Sequence, residues 1–212
     1  MVFDETSRRC MIVDPGMSKE SEFRRVDKYI QEMQLSVQYI VFTHFHLDHV
    51  MGASFCVQEY GVGVSGSDDE QRLMPEAYMQ GQFFGVACPR EVPKIEHPLY
   101  EGDRFVLGYS EEEAAQLGVA PGVEFQVIDC PGHSFHGYCY YAPSAKMLFS
   151  GDVLFRMSVG RSDFGDYMGC NGQLLLSSIA TKLFTLPQDV VVYPGHGPKT
   201  DICTELNCNP YV

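Results

Sequence analysis

Short apolar runs and amphipathic stretches alternate along the chain, and this alternation predicts strands and helices in turn. Residues 9–14 and 37–42 are predicted to form strands, because each apolar run is short and bounded by polar or turn residues. After the first strand, Ser18 can cap a helix. Its apolar residues recur at helical spacing on one stripe, formed by Phe23, Val26, Ile30 and Met33. Another helix is expected between Gly52 and Tyr60.

The second half of the chain continues this alternation. The predicted strands are residues 104–107, 123–129, 137–142, 146–149 and 190–193. An acidic excursion, residues 108–122, separates the first two and is expected to contain a helix at residues 111–117. A later helix is indicated by apolar residues at helical spacing, namely Leu176, Ile179, Leu183 and Leu186.

Residues 67–98 do not follow one period, because proline and glycine interrupt their apolar positions. The aromatic and methionine side chains of this segment are Met74, Tyr78, Met79, Phe83 and Phe84. Two interpretations stay open: the segment forms a lid or a wall of the substrate site, or its apolar side chains are ordinary core residues.

Length and composition indicate one domain over residues 1–212. A chain of 212 residues with 45% hydrophobic content can bury one sizeable core. It shows no charged-then-apolar leader and no apolar stretch long enough to span a bilayer. We therefore expect a cytoplasmic protein without a membrane partner. The eight cysteines form no Cys-x-x-Cys pair, which favours free and mostly buried thiols.

The net charge of −13 argues against a nucleic-acid partner, because phosphate binding depends on clustered lysine and arginine. A small molecule is the expected partner. The sequence does not predict the oligomeric state.

The main chemical signal is a cluster of four potential metal ligands after the second strand. His44 and His46 are two residues apart on extended backbone, so their side chains are expected on one face, where they can share a metal. Asp48 and His49 precede the helix predicted after Gly52 and leave at a different angle. They can serve a second metal nearby.

Three further residues complete the candidate ligand set. His133 and His196 each follow a Pro-Gly pair, and Asp152 lies in a Ser-Gly-Asp segment between them. Taken singly, these are also typical turn or cap residues. Together with the first cluster they indicate a centre of two divalent metals, and Asp152 is the natural bridging anion. Zinc is the expected metal, and iron or manganese also fit these ligands.

With these motifs the chain resembles the metallo-β-lactamase-fold hydrolase superfamily, and most closely its small glyoxalase II-like (hydroxyacylglutathione hydrolase-like) branch. The resemblance covers nearly the whole chain, including residues 12–16, 151–155, 160–163, 192–198 and 209–211. It implies an α+β fold, an αββα sandwich of two mixed sheets flanked by helices. Members usually begin with a further strand, so the first strand here is expected to be missing or very short.

The resemblance also implies roles for the ligands. In the family's pattern His44, His46 and His133 hold the first metal, Asp48, His49 and His196 hold the second, and Asp152 bridges them. The implied activity is a hydrolase, a thioesterase for small acyl thioesters such as S-D-lactoylglutathione, acting through a metal-bridging hydroxide that Asp48 orients.

Substrate recognition is less defined. Arg161 stands where the family places a basic residue that binds glutathione, but it can instead pair with Asp163 and brace its loop. Gly197 and Pro198 replace the family's tyrosine pattern, so the thiol is not assigned. His136 can line the pocket or face solvent.

Three other functions are alternatives to the thioesterase. A mononuclear iron persulfide dioxygenase, which is an oxidoreductase, would use His44, His133 and Asp152 as a two-His, one-carboxylate site. The intact segment 195–198 argues against it. A true β-lactamase is disfavoured, because subclasses with a cysteine ligand need it where Asp152 stands. A non-catalytic scaffold has no support while all seven ligands are present.

Overall fold

The computed structural model describes residues 1–73, 79, 81–82, 85–86 and 92–212. The chain divides into two compact units. The first contains Met1–Pro98 and Phe105–Glu124, and the second contains Leu99–Arg104 and Phe125–Val212. The single domain over residues 1–212 stays a prediction.

The elements follow the predicted alternation of strands and helices. In the first part of the chain they are β1 (Val2–Phe3), β2 (Arg9–Val13), α1 (Glu20–Glu32), β3 (Ser36–Val41), α2 (Leu47–Val50), α3 (Ala53–Tyr60), β4 (Val64–Gly66), a 3-10 helix (Asp69–Leu73) and β5 (Ile95–Pro98). They continue with β6 (Arg104–Leu107), α4 (Glu111–Leu117), β7 (Val123–Asp129), β8 (Tyr138–Ala142), β9 (Met147–Gly151), β10 (Leu154–Phe155) and β11 (Ser158–Val159). The last are a 3-10 helix (Asp166–Met168), α5 (Gly172–Ser178) with a π-helical turn (Ile179–Leu183), β12 (Val191–Pro194), β13 (Thr200–Asp201) and α6 (Ile202–Cys208).

The first unit contains a five-stranded sheet in the order β1-β2-β3-β4-β5. Strands β2 to β5 are parallel, and only β1 runs antiparallel to its neighbour. Because parallel strands end at the same edge, the loops after β2 and β3 lie side by side. The two-residue β1 agrees with the expectation of a very short first strand.

Helix α1 has the predicted apolar stripe, with Phe23 and Ile30 buried and Val26 and the C-cap Met33 half-buried. Its N-cap is Lys19, one residue after the predicted Ser18. Helix α3 packs on β3, and α1 packs on α3. Gly61, at φ 64°, ends α3 in a left-handed turn that glycine adopts without strain.

The second unit contains the strand order β13-β12-β9-β8-β7, with β9 and β12 parallel and the other pairs antiparallel. Its core forms between this sheet and the helical segment of residues 172–183. The core side chains are Ile128, Cys130, Cys139, Tyr141, Leu148, Val153, Leu154, Leu175, Ile179, Leu183, Val190, Val192 and Ile202.

The cysteines, residues 67–98 and the helices bear on three other predictions. The seven cysteines among the described residues have free thiols and five are buried, as expected; Cys88 lies outside the described residues. Of the residues for which a lid or core packing was left open, Met74, Tyr78, Phe83 and Phe84 lie outside the described residues, and Met79 is exposed. No helix in the described part of the chain is long and apolar enough to cross a membrane.

Candidate metal centre

Four predicted ligands lie just beyond the carboxyl end of β3. The strand ends at Val41, so His44 and His46 lie in the loop that follows it, as predicted, and the backbone at His46 is extended. Their rings meet edge to face, with centroids 4.6 Å apart. His49 lies on α2, and its ring centroid is 4.0 Å from that of His44. All three histidines are buried.

Asp14, which follows β2, binds the backbone and side chain of the loop after β3. Its Oδ1 accepts the Thr43 N–H at 2.7 Å, and its Oδ2 accepts the Thr43 hydroxyl at 2.7 Å. The same Oδ2 lies 2.9 Å from His49 Nδ1. Because a carboxylate only accepts, the ring proton of neutral His49 must be on Nδ1. The lone pair on Nε2 is then available to a metal.

The Thr43 hydroxyl extends this arrangement to His44. Its only hydrogen is donated to Asp14, so the contact of 3.0 Å between Thr43 Oγ1 and His44 Nδ1 must be donated by the ring. His44 therefore also has its lone pair on Nε2. Asp14 thus sets the tautomer of two histidines, one directly and one through Thr43.

The role of Asp14 was not predicted from the sequence. One ligand atom each from Asp14, His44 and His49 lies within 4.8 Å of the others. Both oxygens of Asp14 are engaged by hydrogen bonds, which indicates that it orients ligands and does not bind metal itself. The sequence carried no signal for this role, because it depends on the register of β2 and β3, in which Val13 pairs with Val41 and the residues that follow them meet.

Asp48 is the fourth ligand of this group. Its Oδ2 lies 3.8 Å from His49 Nε2, and its side chain is half exposed. The contact is too long for a hydrogen bond. The distance between these two atoms is closer to the separation of two ligand atoms on one tetrahedral metal, which is roughly 3.3 Å when each metal–ligand bond is about 2.0 Å.

The second unit brings together the other three predicted ligands. His133 follows β7, Asp152 follows β9 and His196 follows β12. Asp152 contacts both histidines. Its Oδ2 lies 3.6 Å from His133 Nε2 and 3.5 Å from His196 Nε2. His133 is buried, whereas the His196 side chain is 56% exposed. The distances from this single carboxylate oxygen to two imidazole nitrogens are therefore close to the separation of two ligand atoms on one metal.

The tautomer of His133 is fixed by the backbone. Its Nδ1 lies 2.6 Å from the Arg161 carbonyl oxygen, which can only accept, so the lone pair is on Nε2 and faces Asp152. Position 160, next to Arg161, requires glycine, because the backbone of Asp152 comes so close that a Cβ there would lie 1.8 Å from the Asp152 carbonyl oxygen.

Arg161 shows the bracing arrangement that the sequence left open. Its guanidinium donates two hydrogen bonds to Asp163, at 2.9 and 3.0 Å, and lies 4.4 Å from the ring centre of Phe164. The hydrogen bond from Arg161 lowers the pKa of the Asp163 carboxyl. Substrate binding by Arg161 stays a prediction.

The donor set fits a divalent transition metal. The predicted ligands are imidazole nitrogens and carboxylate oxygens, which zinc and iron both bind. At His44, His49 and His133 the hydrogen bonds leave the Nε2 lone pair available for coordination.

Comparison with known proteins agrees with this chemistry. The family model of the metallo-β-lactamase superfamily matches residues 1–196. The chain belongs to the metallo-β-lactamase superfamily. Two curated relatives are each 32% identical to it. One is the probable metallo-hydrolase YqgX of Bacillus subtilis, with 96% of this chain and 87% of that protein aligned. The other is the hydroxyacylglutathione hydrolase GloC of Haemophilus influenzae, with 100% and 91% aligned.

Solved structures of this superfamily share the fold. The B3 metallo-β-lactamase BLEG-1 has a TM-score of 0.82 at 28% identity, covering 99% of this chain and 91% of its own. TTHA1623 in a di-iron-bound form has a TM-score of 0.77 at 32% identity, covering 94% and 88%. ETHE1 from Myxococcus xanthus has a TM-score of 0.73 at 25% identity, covering 99% and 76%. The α+β fold class predicted from the sequence is confirmed.

Proposed function

We propose that this member of the metallo-β-lactamase superfamily is a dinuclear metal-dependent thioesterase that hydrolyses small acyl thioesters, with S-D-lactoylglutathione as the type substrate. The observation that carries the proposal is the position of Asp152, whose Oδ2 lies 3.6 Å from one ligand nitrogen and 3.5 Å from another. A carboxylate close to two imidazole nitrogens is suited to bridge two metals.

The ligand assignment follows the superfamily pattern. The first metal is assigned to His44, His46 and His133, the second to Asp48, His49 and His196, with Asp152 bridging. Within the first unit, this assignment is supported by the buried histidines and by their orientation through Asp14. Within the second unit, it is supported by the contacts of Asp152 with both histidines.

Two bound divalent cations would supply a water of lowered pKa and would polarise the carbonyl oxygen of the substrate. Asp48, which is half exposed, can accept a proton from that water and orient the resulting hydroxide for attack on the thioester carbonyl carbon. The leaving thiol has a pKa of about 8.5, so it departs as a thiolate without a strong general acid. The lack of need for a general acid agrees with the assigned residues, all of which are metal ligands.

The name of one relative supports the substrate class. GloC of Haemophilus influenzae is a hydroxyacylglutathione hydrolase, and the alignment with it covers the whole of this chain. Zinc is our proposed metal, and the di-iron form of TTHA1623 makes iron the first alternative to test.

A second candidate is a mononuclear iron persulfide dioxygenase. It is favoured by the first histidine cluster and by residues 160–164, which resemble the corresponding segments of such enzymes. This activity would need only His44, His133 and Asp152 as ligands, with open positions for oxygen. It leaves the contact between Asp152 and His196 unexplained.

The two candidates are separated by assaying one preparation for both reactions. A thioesterase releases free thiol from S-D-lactoylglutathione without consuming oxygen. A dioxygenase consumes oxygen with glutathione persulfide and releases no thiol from the thioester. Asp152→Ala should remove thiol release together with bound metal. Asp189→Ala, which removes a surface carboxylate paired with Lys146, is the matched control and should retain both.

A further inference from the structure

A second histidine–aspartate pair lies at the base of the loop that carries His133. This loop, residues 130–137, joins β7 to β8. Asp129 is the last residue of β7, and its Oδ2 lies 2.9 Å from His136 Nδ1. The two side chains are 18% and 29% exposed, so this contact is largely shielded from water. Neither residue belongs to the ligand set.

Asp129 is held firmly on the backbone side. Its carbonyl oxygen accepts a hydrogen bond of 2.5 Å from Lys182 Nζ, and its N–H donates to the Glu101 carboxylate. Lys182 and Glu101 form an ion pair with each other at 3.4 Å. Asp129 also pairs with Tyr138 in the antiparallel register of β7 and β8. It is therefore a fixed point at the end of the sheet.

His136 connects this fixed point to both neighbours of His133. Its carbonyl oxygen accepts the Ser134 hydroxyl at 3.3 Å, and the Ser134 carbonyl oxygen accepts the Gly132 N–H at 3.0 Å. Ser134 is fully buried. The chain of contacts from Asp129 through His136 and Ser134 thus reaches residues on either side of the ligand.

The Asp129 carboxylate depends on this histidine. Within the described residues, its Oδ1 is buried without a hydrogen-bond partner, and its Oδ2 is the atom that contacts His136. Removing the donor would leave a largely buried carboxylate without compensation, so the loop would have to rearrange. Because the carboxylate only accepts, His136 keeps a proton on Nδ1 whether the ring is neutral or charged. The contact is therefore structural in both states.

We propose that the Asp129–His136 pair is a positioning device, which holds the loop so that His133 keeps its hydrogen bond to Arg161 and presents Nε2 to a metal. His136 acts through the loop and does not touch the substrate. The inference rests on the proposed function, in which His133 is a ligand. Metal sites need their ligands within about 0.5 Å of the productive geometry, so a small shift of this loop is enough to matter.

The test compares two substitutions of His136 in the zinc-loaded protein. His136→Phe keeps a ring but has no donor, whereas His136→Asn places an amide N–H near the position of Nδ1. We expect a chelator to remove one zinc at least about tenfold more readily from the Phe variant, and at nearly the wild-type rate from the Asn variant. Asp189→Asn, at a surface ion pair of the same unit, should behave as wild type.

Two further variants separate positioning from the cost of an unpaired carboxylate. Asp129→Ala removes the acceptor, and Asp129→Ala combined with His136→Phe removes both partners. If the pair positions His133, all three variants that lack the contact lose zinc alike, and the double variant loses no more than either single one. Recovery of normal zinc retention in the double variant would overturn the proposal.

A second readout does not depend on the metal. Nitrogen NMR of the full chain before zinc is added reports which ring nitrogen of His133 carries the proton. Wild type should show a single Nδ1–H tautomer, and His136→Phe a mixture. An unchanged His133 spectrum in that variant would overturn the proposal even if wild type binds no zinc, whereas absence of zinc from wild type contradicts only the proposed function.

Discussion

The Oδ2 atom of Asp14 lies 2.9 Å from Nδ1 of His49, and the same carboxylate reaches His44 through the Thr43 hydroxyl. A side chain outside the predicted ligand set therefore decides which nitrogen of two ligands carries a lone pair. This relationship gives a first prediction.

Asp14→Asn should impair metal binding although it barely changes size. The asparagine oxygen would have to accept the Thr43 N–H, so its amide would face His49 Nδ1 and donate to it. The ring proton would then move to Nε2, the atom intended for metal. We expect metal affinity to fall about 10- to 100-fold, measured by chelator competition.

The matched control for Asp14→Asn is Glu112→Gln, which removes one exposed charge from α4 in the same unit. It should bind metal like wild type. Normal metal affinity in the Asp14 variant would show that the carboxylate does not set the tautomers.

Gly160→Ala should disrupt the ligand group of the second unit. The added Cβ would lie 1.8 Å from the Asp152 carbonyl oxygen and 3.1 Å from His133 Nδ1, so the backbone of this loop must shift. We expect loss of activity and bound metal, measured by thiol release and elemental analysis. In Gly172→Ala the new Cβ meets only the Ser162 side chain, so that variant should retain both. Equal behaviour of the two alanine variants would contradict this account.

The role of Arg161 can be resolved by changing each partner of its ion pair. If Arg161 binds a substrate carboxylate, Arg161→Ala should raise KM for a glutathione thioester by about tenfold and leave KM for a neutral thioester unchanged, with kcat retained for both. Asp163→Asn releases the guanidinium from its hydrogen bonds and should not raise KM for the anionic substrate. A similar loss for both substrates would indicate that Arg161 only braces its loop.

The pair between Arg9 and Glu113 predicts a pH-dependent contribution to stability. Two hydrogen bonds from Arg9, at 2.8 and 2.9 Å, help to lower the pKa of Glu113 from 4.5 to about 2. A carboxyl with a lowered folded pKa stabilises the protein above its unfolded pKa and loses this effect as the pH falls through the folded value.

Urea unfolding midpoints of wild type and Glu113→Gln should therefore differ at pH 6 and converge as the pH falls from about 4.5 toward 2. Both side chains are partly exposed, so the difference should be small and should shrink in high salt. Glu112→Gln is the control on the same helix. A difference that grows with acid would have the wrong sign for this explanation.

Local patterns were sufficient to predict most elements. Strands at residues 104–107 and 123–129 and the helix at 111–117 occur with the predicted bounds, because such patterns lie in adjacent residues. The structure adds the Ser110 side chain as the cap of that helix, which was not predicted. Asp152 and its two histidine neighbours were likewise indicated by short motifs at strand ends.

Contacts that depend on register were not predicted. Asp14 adopts a left-handed backbone at φ 49° and meets Thr43 only because β2 and β3 are parallel neighbours. The antiparallel pairing of β7 and β8 similarly brings His136 close to Asp129. Periodicity identifies a strand but does not specify its neighbour or register, so these roles needed the three-dimensional structure.

The central claim is that two metals support hydrolysis at this site. Its most direct test is elemental analysis of the purified full chain, with thiol release from S-D-lactoylglutathione measured on the same sample. We predict close to two divalent metal ions per chain and thiol release that rises with metal content. A preparation that holds one iron per chain, consumes oxygen with glutathione persulfide and releases no thiol from the thioester would contradict the account.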